Sequence, residues 1–301
     1  FSDTGISNSF SNNFYAPFNL LNNTEGIRMF SRTRILENQL GVQLVKHNPI
    51  VKDEPTASTF LLQAGIKQQL IRHAMEPIST DLNGLAIFGY LDWKLLNAIQ
   101  LQSNAFLGFG DLSGAYQLHP RLSFKLKSFI DLQGGINIQA ALPSYHQQVL
   151  FVNQQEVWAN GFNPVSGQKL YGHIKWKKTI PFWVGLSQES VQNYIYLDQA
   201  QEIRQESDNV NIQQLQAGTE LSLWKIHLDN QVYLQNISSD IIRLPKIIGN
   251  HQLYYKGYLF KQAMWTRIGA DLRFNDPYYI NGFQPATGMF YIQDNLQTPW
   301  Q

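Results

Sequence analysis

The sequence contains no cysteine. It therefore has no disulfide, no thiolate metal site and no cysteine nucleophile. Charge is scarce as well. Charged residues make up 15% of the chain, against roughly 25% in soluble domains, and uncharged Gln, Asn, Ser and Thr supply much of the polarity instead. The formal net charge is +1, with no basic tract and no acidic tail, so nothing pulls the chain toward nucleic acid and no such partner is expected. Long apolar runs are missing too. None approaches the ~18 residues of a membrane helix; the oiliest stretches, such as residues 84–91, are strand-length. If a membrane is involved, strands must cross it. Helix signals are nearly absent, and residues 199–209 read best as a polar loop. The chain opens on "FSDTGISNSF", without Met and without a signal peptide. This points to a removed signal or to a start inside a longer protein.

What the sequence does have is alternation. In "WKIHLDNQVYLQ", residues 224–235, every second position is apolar except Asn230. Trp224, Ile226, Leu228, Val232 and Leu234 fall on one face; Lys225, His227, Asp229, Gln231, Tyr233 and Gln235 fall on the other. Period two over this length predicts a strand with one oily face and one wet face. The pattern recurs around Leu40, Phe60, Leu122, Ile136, Leu170 and Met264. Turn signals separate these stretches, among them residues 73–81, "LHPR" at 118–121 and residues 161–168. The pattern is continuous, without a domain boundary or a fixed-period repeat.

Two architectures fit such alternation. The oily faces can meet inside a soluble β-sandwich, or they can face lipid around a polar interior. Three features favour the second. The strands reach the ~9–11 residues that a membrane crossing needs. The wet face mixes charged and amide side chains with Gly41, Gly65 and Gly269. Aromatic residues gather near strand ends, as Phe14, Tyr15, Phe18, Trp93, Trp158, Trp176, Trp183, Tyr254, Tyr255 and Tyr258. The expected fold is all-β, an antiparallel up-and-down transmembrane β-barrel of roughly 12–16 strands. The lipid-facing candidates are Trp224, Ile226, Leu228, Val232 and Leu234. The lumen-facing candidates are Lys125, Lys127, Arg267 and Arg273, each on the polar parity of its stretch.

Catalytic chemistry is not visible. The seven histidines never pair at metal-ligand spacing. His227 and Asp229 share a strand face, and Asp198, Glu202, Glu206 and Asp208 cluster in a polar loop, but neither set matches a catalytic or calcium-binding pattern. No catalytic residue, cofactor site or metal site is expected, and the chain is not expected to be an enzyme.

The last third carries a resemblance. Arg243-Leu244-Pro245, Tyr254-Tyr255 with Tyr258 to Lys261, Ile268 to Arg273, Tyr278-Tyr279, and Pro285 to Tyr291 with Gln293 follow one another in a specific order. In this the chain resembles the β-barrel porin family of Bacteroidota outer membranes. Phe283 stands where that family often has Tyr. The resemblance implies an outer-membrane location, the lipid bilayer as a partner, and a porin or channel role for small solutes. The family pattern runs further in both directions, which implies that residues 1–301 are a single barrel domain within a longer chain. Two alternatives stay open beside a pore. One is an accessory barrel subunit of a larger outer-membrane secretion or assembly complex, with other outer-membrane proteins as partners. The other is a soluble β-sandwich binding module.

Overall fold

The computed structural model describes residues 28–47, 59–95, 98–285 and 287–300. Phe14, Tyr15 and Phe18 lie outside the described residues. Twelve strands form one sheet in which every neighbour is antiparallel. In chain order they begin with β1 (Ser31–His47), β2 (Thr59–Met75), β3 (Ile78–Leu95), β4 (Ile99–Gly110), β5 (Tyr116–Leu126) and β6 (Ile130–Ala141). A hairpin of β7 (Val149–Val152) and β8 (Gln155–Ala159) interrupts the sheet, which resumes with β9 (Val165–Trp176) and β10 (Phe182–Gln192). The short strands β11 (Ile195–Leu197) and β12 (Ile203–Gln205) interrupt it again. It then continues through β13 (Val210–Leu223), β14 (Ile226–Ile237), β15 (Ile247–Leu259) and β16 (Met264–Asn275), and the last strands are β17 (Gly282–Gln284) and β18 (Met289–Tyr291). Each long strand pairs with the next long strand in the chain, which is up-and-down order. Among the described residues, β1 and β16 each pair on one side only.

Register carries the alternation from strand to strand. Val42 lies opposite Ala64, Ala64 opposite Gly89, and Gly89 opposite Ala105. Further along, Leu186 meets Leu215, Leu215 meets Leu234, and Leu234 meets Ile247. The apolar parity of every long strand therefore falls on the same face of the sheet. Among the described residues that face has no second layer against it: Leu40 is 72% exposed and Ile268 68%. A β-sandwich would bury these side chains between two sheets. The buried core lies elsewhere, in the connections at one end of the strands.

The sequence reading needs correction at three places. "LHPR" does not turn; residues 118–121 lie inside β5. Pro120 has no N–H to give. It lies opposite Ser103 of β4, while the register between β5 and β6 skips from Leu118 to Arg121. Trp224 belongs to no strand, because Leu223 pairs with Ile226 and leaves Trp224-Lys225 as a two-residue turn. Lys127 likewise lies beyond the end of β5, in the turn to β6. Both Trp224 and Lys127 take a left-handed backbone, with φ of 56° in each.

Candidate functional site

The polar face of the sheet is the candidate site. Lys125, Arg267 and Arg273 sit on it, on the parity opposite to the oily face. Its side chains bond across the strands. Gln100 and Gln102 donate to the Asp92 carboxylate at 2.8 and 3.0 Å, and Arg121 donates to Gln102. His119 and the Tyr171 hydroxyl are 2.9 Å apart. Ion pairs join Lys67 to Glu37 at 3.0 Å, Lys169 to Glu189 at 3.2 Å and Lys175 to Glu220 at 3.3 Å. Tyr254 donates to Asp229 at 3.1 Å, and the Arg267 guanidinium lies 4.0 Å from the centre of the Tyr254 ring. Arg273 pairs with Asp271 on its own strand at 3.3 Å. Cations and carboxylates are interleaved, so the wall does not present one sign of charge. Such a surface solvates polar solutes without favouring ions of one sign.

Glycines on this face make room for rings. A Cβ on Gly65 would stand 2.5 Å from the tip of the Phe88 ring, which crosses Gly65 and approaches Gly41 beyond it. At Gly135 the neighbour is the Tyr171 hydroxyl, 2.7 Å from where a Cβ would be. The wet-face glycines Gly41 and Gly65 thus sit beneath a ring reaching over from β3.

The oily face holds four of the five apolar side chains predicted for it on this segment: Ile226, Leu228, Val232 and Leu234. Asn230, the break in the pattern, has a partner. Its Oδ1 lies 2.7 Å from Nδ1 of His251, the residue opposite on β15, and the Phe274 ring stacks on that imidazole. Two polar groups that would each be costly alone in an apolar setting satisfy one another.

The two ends of the sheet differ. At one end the turns at 127–129, 177–181, 224–225 and 260–263 are short. Lys46, Lys94, Lys125, Lys127, Lys175, Lys177, Lys178, Lys225, Lys256 and Lys261 all lie there, with only Asp92, Asp131, Glu220 and Asp229 as carboxylates among the described residues. Aromatic side chains form a row on the oily face at the same level. Trp93 packs on Phe60, and Trp176 packs on both Phe129 and Phe182. Not every predicted end aromatic joins this row. Trp158 is buried in a connection, and Trp183 and Tyr254 lie on the polar face.

At the other end the connections are long and folded, apart from the turns at 76–77 and 111–115. Met75, Leu150, Val152 and Trp158 form a buried cluster, with Ile203 and Met289 packed against it. Tyr145 stacks on His73 and shares a hydrogen bond with Thr80, so the segment after β6 reaches back to the polar side of β2 and β3. Asn153 and Arg28 exchange hydrogen bonds ahead of β1. Strand β11 pairs in parallel with β18, joining two connections that are distant in the chain. Together these segments form a roof at this end of the polar face, over β2 and β3. Burial in this roof holds the His146 imidazole below its ordinary range and pushes the Tyr194 hydroxyl up.

The candidate reactive groups come apart. His227 bonds to Ser222 across the hairpin at 2.8 Å, but Asp229 accepts from Tyr254 instead of orienting the imidazole. Asp198 and Glu202 both pair with Arg204, which offsets part of the loop's negative charge. Among the described residues no group of three or more His, Asp or Glu side chains converges as a metal site would.

Comparison with known proteins agrees with this geometry. The family described as "Putative porin" matches residues 2–299. No curated protein matches the sequence. Among solved structures, the ferric enterobactin receptor of Pseudomonas aeruginosa is similar, with a TM-score of 0.63 at 14% identity, over 90% of this chain and 46% of the receptor. The siderophore receptor PirA of Acinetobacter baumannii gives 0.61 at 9% identity, over 82% of this chain and 43% of the receptor. The chain spans about half the length of these solved structures. At such identities the likeness is one of fold. The family match over nearly all of the sequence, with one antiparallel sheet oily on one face and polar on the other, makes the chain a member of the "Putative porin" family and an outer-membrane β-barrel protein.

Proposed function

We propose that the chain forms part of the wall of a transport barrel that passes small polar solutes. The carrying observation is the hydrogen-bonded polar face, maintained by register across all twelve strands of the sheet while the opposite face stays apolar and uncovered. In this reading Lys125, Arg267 and Arg273 face the lumen, and Lys127 stands at its rim. Ile226, Leu228, Val232 and Leu234 lie against acyl chains, and Trp224 sits at the membrane interface. A lipid-exposed sheet edge leaves backbone groups unpaired. The free sides of β1 and β16 therefore pair with further strands, and residues 1–301 are one portion of a single barrel domain. Short turns face the periplasm in barrels of this type and long loops face outward, which puts the roof outside. Reconstitution of the full-length protein in planar bilayers tests the reading. Stepwise conductance supports it, and none above background ends it.

A second reading rests on the roof. The buried cluster around Leu150 and Trp158 belongs to connections packed over the polar side. A barrel closed in this way serves as an accessory subunit of a larger outer-membrane complex. Purification in mild detergent separates the two readings: a stoichiometric partner favours the subunit, and an isolated conducting barrel favours the pore.

A further inference from the structure

We infer that the turns joining β5 to β6 and β9 to β10 form a binding site for the phosphate of one anionic phospholipid. Three layers stack on the oily face at this point. The first is an aliphatic row in which Leu132 lies opposite Ile174, and Ile174 opposite Val184. Next toward the strand ends is the row Ile130, Trp176 and Phe182. Trp176 meets Phe129 edge-on with ring centres 4.8 Å apart and stacks on Phe182 at 6.4 Å. Beyond the rings come two ammonium groups. Lys127 Nζ lies 5.9 Å and Lys178 Nζ 5.7 Å from the centre of the same Phe129 ring.

The charge on this last layer is uncompensated. Asp131, a carboxylate near these turns, is taken by Lys177, and neither Lys127 nor Lys178 forms an ion pair among the described residues. Their backbones are fixed by local structure: Lys127 holds a left-handed turn, and the Lys178 carbonyl accepts from the Trp176 indole at 2.8 Å. Both ammonium groups stand at the Phe129 ring, which attracts a cation without cancelling its charge, so an approaching anion meets two unpaired positive groups. In sequence from strand centre to turn, the surface offers a place for acyl chains, an interfacial aromatic belt and a doubly positive seat for a phosphate. A phospholipid has the same order of parts. The site is independent of whether the barrel conducts.

Native mass spectrometry of the full-length protein, titrated with phosphatidylglycerol and with phosphatidylcholine of the same chains, tests this. The intact protein should retain one phosphatidylglycerol more tightly than phosphatidylcholine. Lys127→Gln with Lys178→Gln should weaken it about thirtyfold, at the strength expected for two surface cations. Lys261→Gln, on the same rim, should leave it unchanged and reports that the loss is local. Equal binding of both lipids, or undiminished binding by the double variant, overturns the site. Inorganic phosphate, titrated alone, distinguishes the source of the anion: binding as tight as phosphatidylglycerol would show that the aliphatic and aromatic rows contribute nothing, and the lipid assignment would fall.

Discussion

The two faces of the sheet are built from the same strands and are held to different standards. Over most of the oily face, side chains need only be apolar. Leu40, Leu186 and Ile268 project into uncovered space, and the face is specified by polarity alone. On the polar face many residues have a particular neighbour, such as Arg121 on Gln102, His119 on Tyr171 or Phe88 over Gly65. A substitution should therefore be judged on the oily face by its chemistry and on the polar face by its shape and its partner.

The sharpest test of this contrast is a single charge placed on either side of one strand. Val232, on the oily parity of β14, lies between Ala217 and Gly249 in mid-strand. Val232→Arg should destabilise the inserted protein by about 2–4 kcal/mol, read as a shift in urea midpoint in lipid vesicles. Gln231→Arg, one residue away on the polar face, should shift it far less. Equal losses would mean that the two faces are not in different solvents. Leu228→Arg, nearer the turn, should fall closer to 0–1 kcal/mol.

A shape change on the polar face comes next. Gly65→Val puts atoms into the Phe88 ring and against the Leu40 carbonyl, and overpacking of this kind costs about 1–3 kcal/mol. Adding Phe88→Ala should recover part of that cost; no recovery would show that the ring is not the obstacle. Smaller again is a place where the oily face requires a partner. Asn230→Ala strands the His251 imidazole and should cost ~1–2 kcal/mol. The Asn230→Leu, His251→Leu double variant should be close to wild type in thermal midpoint. On the polar face, Lys175→Gln removes an ion pair whose two side chains are 38% and 60% exposed, so less than about 1 kcal/mol is expected, within reach of a double-mutant cycle with Glu220→Gln.

The weakest effect should come from pH. Burial lowers the His146 imidazole, so the unfolded segment binds a proton more readily than the folded one. The roof keeps its full stability above the ordinary imidazole pKa near 6.5 and loses some as pH falls below that value toward the depressed one. Amide exchange in residues 145–159 should rise on acidification, and His146→Gln should flatten the response.

Much of the sheet was legible in the sequence because a strand reports its faces locally. Alternation placed Ile226 to Leu234 on one side without knowledge of any neighbour. The ends of strands were less legible. Trp224-Lys225 and Lys127 form turns without the Gly, Asn or Pro that usually mark them, so the alternation in the sequence runs straight through. Pro120 erred in the other direction, because a missing N–H is tolerated inside β5 where the register to β6 is interrupted. The roof was hidden for a different reason. Strands β11, β12, β17 and β18 have three residues each, too few to show a period, and β11 finds β18 across most of a hundred positions in the chain. The partner of Asn230 was invisible for the same reason, since only register brings His251 opposite.

The rings laid over glycines bear on how the chain avoids assembling wrongly. Polarity detects a strand that slips by one residue, because every side chain then changes face. It does not detect a slip of two, which returns apolar to apolar and polar to polar. Such a slip between β2 and β3 would bring Phe88 onto Gln63 or Lys67 in place of Gly65, and one between β6 and β9 would bring Tyr171 onto Gln133 or Asn137 in place of Gly135. The ring would then meet a side chain where it now meets bare backbone. Each ring and its glycine act as a key and a slot, rejecting the errors that a two-letter pattern of oily and polar passes as correct.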